Sequence, residues 1–320
     1  MINKKPLYEI AQKLNVDPIT ITNYFKYHNI IPQNVSNTSR EEKEIVQFLQ
    51  TLIPSNDIIC NVKNIISPYE LDIYIPKHNL AIEVCGGYWH SDKFKPKHYH
   101  KQKHDMCAKR EINLLTIYDV EWNTKQDIVK SILRHKINAT VKRIDARKCN
   151  IIIPTTQQQQ NFLKLTHIQG YARCSFSAAL SYNNEIVSLI SFIKRKDQYE
   201  LIRFSSKLNT TVRGGFSKLL KYSLTNLSLP IITFADLRWS KGTLYQQHFK
   251  QIGYVAPSYV YVSYKNNKHG EIFHRSLFRR EFLEKRLDVF DPELTEFKNC
   301  DNNHLYRLWD CGKIKFYLER

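Results

Sequence analysis

Two carboxylates stand in apolar company. Asp72 lies inside Glu70-Leu71-Asp72-Ile73-Tyr74-Ile75-Pro76, and Glu83 inside Leu80-Ala81-Ile82-Glu83-Val84-Cys85. An ionised group on an otherwise buried strand is costly without a partner or a metal. Carboxylates from two paired strands are also how oxygen ligands converge on a hard cation such as Mg2+. Glu42, in Ser39-Arg40-Glu41-Glu42, has two readings. It closes a capping box on Ser39, or it is a third carboxylate facing the metal; one side chain cannot do both. His90 follows Trp89 in the segment Gly86-Gly87-Tyr88-Trp89-His90. A histidine there is suited to act as a general base, or to orient a water or a phosphate.

Residues 93–110 carry Lys93, Lys95, Lys97, Lys101, Lys103, Lys109 and Arg110 against one acid, Asp105, with His98, His100 and His104 interleaved. Lys103 lies one helical turn from His100, so the two share a face. A lysine aimed at the metal site would stabilise charge developing on a phosphate. A rival reading takes His100, His104 and Cys107 as zinc ligands with His98 nearby, although paired cysteines are missing. The blandest reading is a solvated basic face gripping a polyanion backbone, with Lys93, Lys95, Lys97 and Lys101 as the contacts.

These residues need elements to hold them. Spacing predicts a helix carrying Ile45, Phe48, Leu49 and Leu52, strands at 58–62, 70–75 and 79–85, and a basic helix over 96–110. A buried strand at 113–118 and a helix over 124–138 complete the order αβββαβα. The Asp72 and Glu83 strands join through a hairpin at Pro76-Lys77-His78-Asn79. Upstream, residues 6–28 read as two short helices around a tight turn at Asn15-Val16-Asp17-Pro18. That pattern is a candidate helix-turn-helix, with Thr20, Thr22, Asn23 and Lys26 on the recognition helix; a plain helical hairpin is the alternative. Residues 32–40 read as a linker.

The 320 residues include 48 Lys plus Arg and 30 Asp plus Glu, a formal charge of +18, with 42% hydrophobic residues. This is a globular composition with a polyanionic partner expected, nucleic acid before an acidic membrane surface. The seven cysteines contain no C-x-x-C pair, which argues for a reducing compartment. No apolar run approaches the ~18 residues of a membrane span, and no signal-peptide core follows Met1. A cytoplasmic protein of a bacterial host is expected. The wealth of Lys, Asn and Ile, with A/T-rich codons, is compatible with a bacteriophage origin.

The run from Ser39 to Trp122 resembles phage-type homing endonucleases of the PD-(D/E)xK superfamily, in the branch of the very-short-patch-repair endonuclease. The residues that carry the resemblance are Ser39-x-x-Glu42-x-Glu44-Ile45, Glu70-Leu71-Asp72-Ile73-Tyr74-Ile75-Pro76, Ile82-Glu83-x-x-Gly86-x-Tyr88-Trp89-His90-Ser91, His100-x-x-Lys103 and Asp119-x-Glu121-Trp122. The resemblance implies a site-specific DNA endonuclease that hydrolyses phosphodiester bonds on an αβββαβ core. It implies Mg2+ as cofactor, with Mn2+ as a substitute, held by Glu42, Asp72 and Glu83. It matches Glu42, Asp72 and His90 to the active site, with Glu83 and Lys103 as additions of the branch. Double-stranded DNA is then the partner, with no membrane and no small-molecule substrate, the chain acting as a monomer or homodimer. Cys85 stands where the superfamily has lysine. The repair enzyme's structural-zinc ligands match Gly87, Asp92 and Phe94, none of them Cys or His, so no zinc is expected there. The departure at Cys85 supports an alternative, a non-catalytic DNA-binding regulator with a degenerate nuclease core.

After about residue 145 the pattern restarts. Strands are predicted at 150–153, 178–182, 186–193, 199–204, 230–235 and 258–264, and helices at 157–166, 215–227, 240–251 and 275–285. The order resembles the GNAT acetyltransferase fold. Val212-Arg213-Gly214-Gly215-Phe216-Ser217 sits where that family binds the CoA pyrophosphate, but of the pattern Gln/Arg-x-x-Gly-x-Gly/Ala only Gly215 matches. Asp236-Leu237-Arg238-Trp239-Ser240-Lys241-Gly242 and Tyr245 form a second polar and aromatic cluster. Arg275, Arg279, Arg280, Lys285 and Arg286 are candidate phosphate contacts or a solvated face. The expected chain is mixed α/β, with a helix-turn-helix module over 1–35, a restriction-endonuclease-like domain over 36–142 and a GNAT-like domain over 143–320. The last serves as scaffold or DNA contact and binds no cofactor; a DNA-targeted acetyltransferase is the other alternative.

Overall fold

The computed structural model describes residues 11, 13–14, 16–28, 38–267 and 269–319. The chain is mixed α/β and forms two compact units, Met1–Lys43 and Glu44–Arg320.

In the first unit, helix α1 spans Pro18–Tyr27. Its start follows from Asp17, whose Oδ1 accepts the Ile19 N–H at 2.8 Å, and from Pro18, which gives up no needed donor in a first turn. Ala11 and Ile21 are buried, while Thr20 and Asn23 face solvent. Thr22 and Lys26 lie on the same helix, their side chains outside the described residues. The helix expected at the start of the chain falls mostly outside them too.

Helix α2 spans Arg40–Gln50 and runs from the first unit into the second. The Glu42 amide donates to Ser39 Oγ at 3.0 Å, which is the capping half of the expected box. In the second unit, β1 (Ile59–Val62), β2 (Leu71–Ile75), β3 (Leu80–Cys85) and β4 (Asn113–Tyr118) form a sheet in that order. The β2–β3 hairpin closes through a 3-10 turn over Pro76–His78, and Asn79 supplies the left-handed residue at φ 45°. β3 and β4 are parallel, linked by helix α3 (Tyr99–Ala108). β3 is buried throughout and β4 from Leu114 onward, as a parallel pair covered on both faces requires. Helices α4 (Asp119–Thr124) and α5 (Gln126–Lys136) follow, and Ile45, Leu49, Ile82, Leu115, Trp122 and Leu133 form the core between helices and sheet.

The rest of the chain builds β5 (Lys142–Asp145), β6 (Asn150–Ile152), α6 (Thr156–Thr166), β7 (Phe176–Tyr182), β8 (Glu185–Lys194), β9 (Tyr199–Ser206) and β10 (Thr210–Arg213). It continues with α7 (Gly215–Asn226), β11 (Ile231–Asp236), α8 (Thr243–Gln246), β12 (Lys250–Val255), β13 (Tyr259–Ser263) and β14 (Glu271–His274). It ends with α9 (Leu283–Arg286), α10 (Glu296–Asn302), β15 (Tyr306–Trp309) and β16 (Lys313–Leu318). Seven strands make one sheet, ordered β12-β16-β11-β9-β8-β7-β6. β5 pairs with β10, and β14-β13-β15 form a third sheet.

Two expected helices are corrected. The helix over 240–251 shrinks to α8, and Lys250–Val255 is an edge strand that pairs with β16 alone, bulged at Gln251/Gly253. The helix over 275–285 breaks into two 3-10 turns and α9, because Arg279 is extended (φ −65°, ψ 149°). Its apolar residues Phe278 and Leu283 still reach the core. Their spacing imitates a helix although two short turns place them.

The sheets of the second unit are locked together by buried polar bonds. Arg238, just after β11, makes two hydrogen bonds to Glu121 of α4 at 2.9 and 3.0 Å. Its guanidinium also stacks 3.8 Å from the Tyr118 ring centroid. Tyr264 Oη donates to Asp119 at 2.7 Å, and the Gly87 amide reaches the same carboxylate at 3.1 Å. Among the described residues no helix is long and apolar enough to cross a membrane.

Candidate functional site

The paired strands bring Asp72 and Glu83 together as their sequence suggested. Asp72 Oδ2 accepts the Val84 amide at 2.8 Å. Glu83 is bonded by the Lys103 ammonium, and both side chains are 2% exposed. Burial raises the Asp72 carboxyl above its ordinary value, and burial together with the Asp72 charge pushes Glu83 up to about 8. Burial works against the Lys103 ammonium, yet Glu83 and Asp72 outweigh it and hold the lysine charged. Two carboxyl groups thus share one internal cation and one retained proton. Glu42 is buried at 5% exposure on α2, in the unit ending at Lys43.

Beside these groups lies a cluster that spacing did not disclose. Cys85 ends β3, His90 sits in the turn after it, and His100 opens the first turn of α3. Cys85 Sγ lies 3.8 Å from His100 Nδ1, and the two imidazoles stack with centroids 5.4 Å apart at 20°. Burial lowers both His90 and His100 to about 3, so both rings are neutral, and it drives the Cys85 thiol well above its ordinary value. The alternative zinc set His100, His104 and Cys107 is not assembled. His104 Nδ1 lies 3.3 Å from Asp105, and Cys107 packs into a separate core with Ile66 and Leu71.

The lysines expected to grip a backbone have local partners. Lys93 donates to Tyr88 Oη at 3.0 Å and Lys101 to Asp105 Oδ1 at 2.6 Å. Lys95 and Lys97 each stand 4.6 Å from an aromatic centroid, of Tyr99 and Trp309.

A second site lies in the seven-stranded sheet. β9 and β11 are parallel, but their ladder holds only Ile231↔Tyr199, Ile232↔Glu200 and Thr233↔Leu201. Beyond Thr233 the strands part, while β11 stays paired to β16 out to Asp236 and β9 to β8 out to Ser206. The split opens a cavity of about 640 Å3, within the ~300–1,000 Å3 of small-molecule sites. Ser205 and Phe234 stand on its two strand walls, His135 of α5 lies on a third side, and Ser217 stands in the first turn of α7. Gly214, at φ 71°, caps α7 without a side-chain bond. The first amides of the helix have no intrahelical acceptors, an arrangement that suits an anion. Tyr245 of α8 also lines the cavity, and burial raises its phenol above the ordinary value. His167 lines it as well; burial lowers its imidazole to about 3, and its Nδ1 accepts the Gln169 amide at 3.1 Å.

No known protein family matches the sequence, and no curated protein matches it. Solved structures do. A GNAT family acetyltransferase from Elizabethkingia anophelis with acetyl-CoA bound is 13% identical, over 54% of this chain and 99% of that one, with a TM-score of 0.30. A Bacillus subtilis acetyltransferase in complex with CoA is 12% identical, over 54% and 99%, with a TM-score of 0.29. The aminoglycoside 6'-N-acetyltransferase of Enterococcus faecium is 13% identical, over 53% and 96%, with a TM-score of 0.24.

The similar structures are acetyltransferases, two of them with CoA or acetyl-CoA. The expectation of a Mg2+-dependent homing endonuclease acting on double-stranded DNA, with no small-molecule substrate, is corrected accordingly. The cation paired with Glu83 in this structure is the chain's own Lys103.

The cluster Asp236 to Tyr245 was visible in the sequence, and Asp236, Ser240 and Tyr245 do line the cleft. Arg238 turns away to Glu121. The strand walls at Ser205 and Phe234 carried no sequence signal, because a ladder's early end leaves no periodic trace.

Proposed function

We propose that the chain is an acyltransferase whose cleft between β9 and β11 takes a CoA-type thioester. One observation carries this reading: the β9–β11 ladder ends at Thr233↔Leu201 and opens onto the N-terminus of α7. An extended, amide-bearing pantetheine arm suits two strand edges that have lost each other as partners. A diphosphate suits the α7 amides. The expected motif is incomplete, since Val212 and Ser217 replace its outer residues. Main-chain amides bind phosphate without regard to those side chains, so Gly214 and Gly215 are what the geometry requires.

The reaction that fits is attack of an acceptor amine on the thioester carbonyl. The N–C bond forms, the C–S bond breaks, and the departing thiolate needs a proton. Tyr245 lines the cleft, stays protonated at neutral pH because burial raises its phenol, and can give that proton. His167 is not suited to accept the amine's proton. Its Nδ1 is occupied by Gln169, so in the neutral ring Nε2 carries the hydrogen. We further propose that the boundary between the four-stranded and seven-stranded sheets lies near residue 143, and that the seven-stranded part holds the thioester while α5 closes one side of the cleft.

The test is thiol release from acetyl-CoA in the presence of primary-amine acceptors. Acceptor-dependent release is expected. Tyr245→Phe should cut kcat by roughly 10²–10⁴-fold while leaving acetyl-CoA affinity unchanged. A thioester that survives every amine class, or a Tyr245→Phe chain as fast as the parent, would overturn the reading.

A further inference from the structure

We propose that Cys85, His90 and His100 form a binding site for a divalent transition metal with a preference for nitrogen and sulfur, zinc being the fitting ion. Three observations meet here. First, the Sγ of Cys85 and one ring nitrogen of each histidine all lie within 4.8 Å of one another, the one such group among the described residues. Second, each imidazole keeps a buried ring nitrogen with no hydrogen-bond partner, Nδ1 of His90 and Nε2 of His100. His100 is only 2% exposed. A buried nitrogen left unpaired costs ~1–3 kcal/mol, and Nδ1 of His90 beside the thiol is explained by a cation that the three groups share, with His100 facing Cys85 through its other nitrogen, Nδ1. Third, the ligands come from the end of a buried strand, the turn after it and the first turn of a helix, so the backbone fixes their separation.

The geometry suits zinc and not a hard ion. Zinc–sulfur bonds of about 2.3 Å and zinc–nitrogen bonds of about 2.0–2.1 Å put tetrahedral ligands roughly 3.3–3.6 Å apart. The Cys85 Sγ to His100 Nδ1 distance of 3.8 Å is already close to that. Binding replaces the Cys85 S–H with a sulfur–metal bond and sends the proton to solvent. Three protein ligands leave the fourth position to water or a further donor. The nearby carboxyl pair is engaged with Lys103 and each other and is not needed in the coordination sphere. The site lies apart from the β9–β11 cleft, so it stands or falls independently of acyl transfer.

The experiment is Co2+ titration of the full-length chain after metal removal, read by the thiolate-to-cobalt charge-transfer band. Zinc content of the chain as purified is measured alongside. About one equivalent of cobalt should bind with a thiolate band, and zinc should displace it. Cys85→Ser should abolish the band, and His100→Ala should weaken binding by on the order of 100-fold. Cys107→Ser, at a buried thiol in another core, should leave both unchanged. Should Cys85→Ser fail to fold, Cys85→His is the second variant, expected to bind cobalt without the thiolate band. A folded parent chain with no thiolate band overturns the proposal. So does a band that survives in Cys85→Ser or Cys85→His, or one that is lost in Cys107→Ser.

Discussion

Lys136, on the last turn of α5, illustrates a residue whose place the fold dictates at a cost. Burial, aided by the nearby Lys241, lowers its ammonium to about 8 from 10.5, and no carboxylate is paired with it among the described residues. The sign follows from linkage. Between pH 8 and 10.5 the unfolded chain binds more protons than the folded one, so stability rises with pH across that window. Below pH 8 both states are charged and the whole penalty, on the order of 3 kcal/mol, is present. Lys136→Met should therefore stabilise the chain at pH 7 by an amount of that order, and should flatten the rise above pH 8. Urea denaturation at pH 7 and pH 10 checks this; an unchanged midpoint at pH 7 would contradict it. The residue scale is also where the sequence was most legible. Asp72 and Glu83 were conspicuous because ionised groups in apolar strands demand a partner. The helical phase of Lys103 put it on a face with His100 for a role on a phosphate, and its ion pair with Glu83 was not read from the sequence. The Cys85–His90–His100 cluster was not read either, since no regular spacing relates a strand end, a turn and the following helix.

Among elements, the junction of β11 with α4 carries the largest expected effect. Arg238 and Glu121 are 6% and 5% exposed and bonded at two points. Glu121 Oε2 also accepts the Tyr118 amide at 3.1 Å. Glu121→Gln removes the nearer counter-charge of a buried guanidinium and leaves only Asp236 at 3.9 Å, which should cost ~3–5 kcal/mol. A loss below ~1 kcal/mol in equilibrium denaturation would mean that water or another acceptor reaches Arg238. Strands with strict patterns, β2, β3, β4 and β7–β9, were readable because burial on one or both faces writes itself into the residue types. β12 was not. Its exposed edge, Lys250–Val255, buries too little to leave a pattern, and the apolar residues before it fit a helix as well. β5 and β10 pair with each other alone, and short, half-exposed strands of this kind carry little signal.

For the whole molecule, the cleft is a joint product of elements distant in sequence. α5 supplies one wall, β9 and β11 the floor, and α7 the end where its amides emerge. The +18 charge of the sequence suggested nucleic acid. Locally, several of its lysines are spent on aromatic faces and carboxylates, and the cleft lies elsewhere. The central claim is that the cleft binds a CoA thioester through the α7 N-terminus, and calorimetric titration of acetyl-CoA into the full chain tests it most directly. Ser217 is exposed in the first turn of α7, so Ser217→Glu adds a charge that the helix dipole favours but a diphosphate does not. Saturable binding by the parent chain is expected, weakened by on the order of tenfold or more in Ser217→Glu with no loss of thermal stability. Absence of heat and of any thermal shift with acetyl-CoA, or equal affinity in Ser217→Glu, would contradict it.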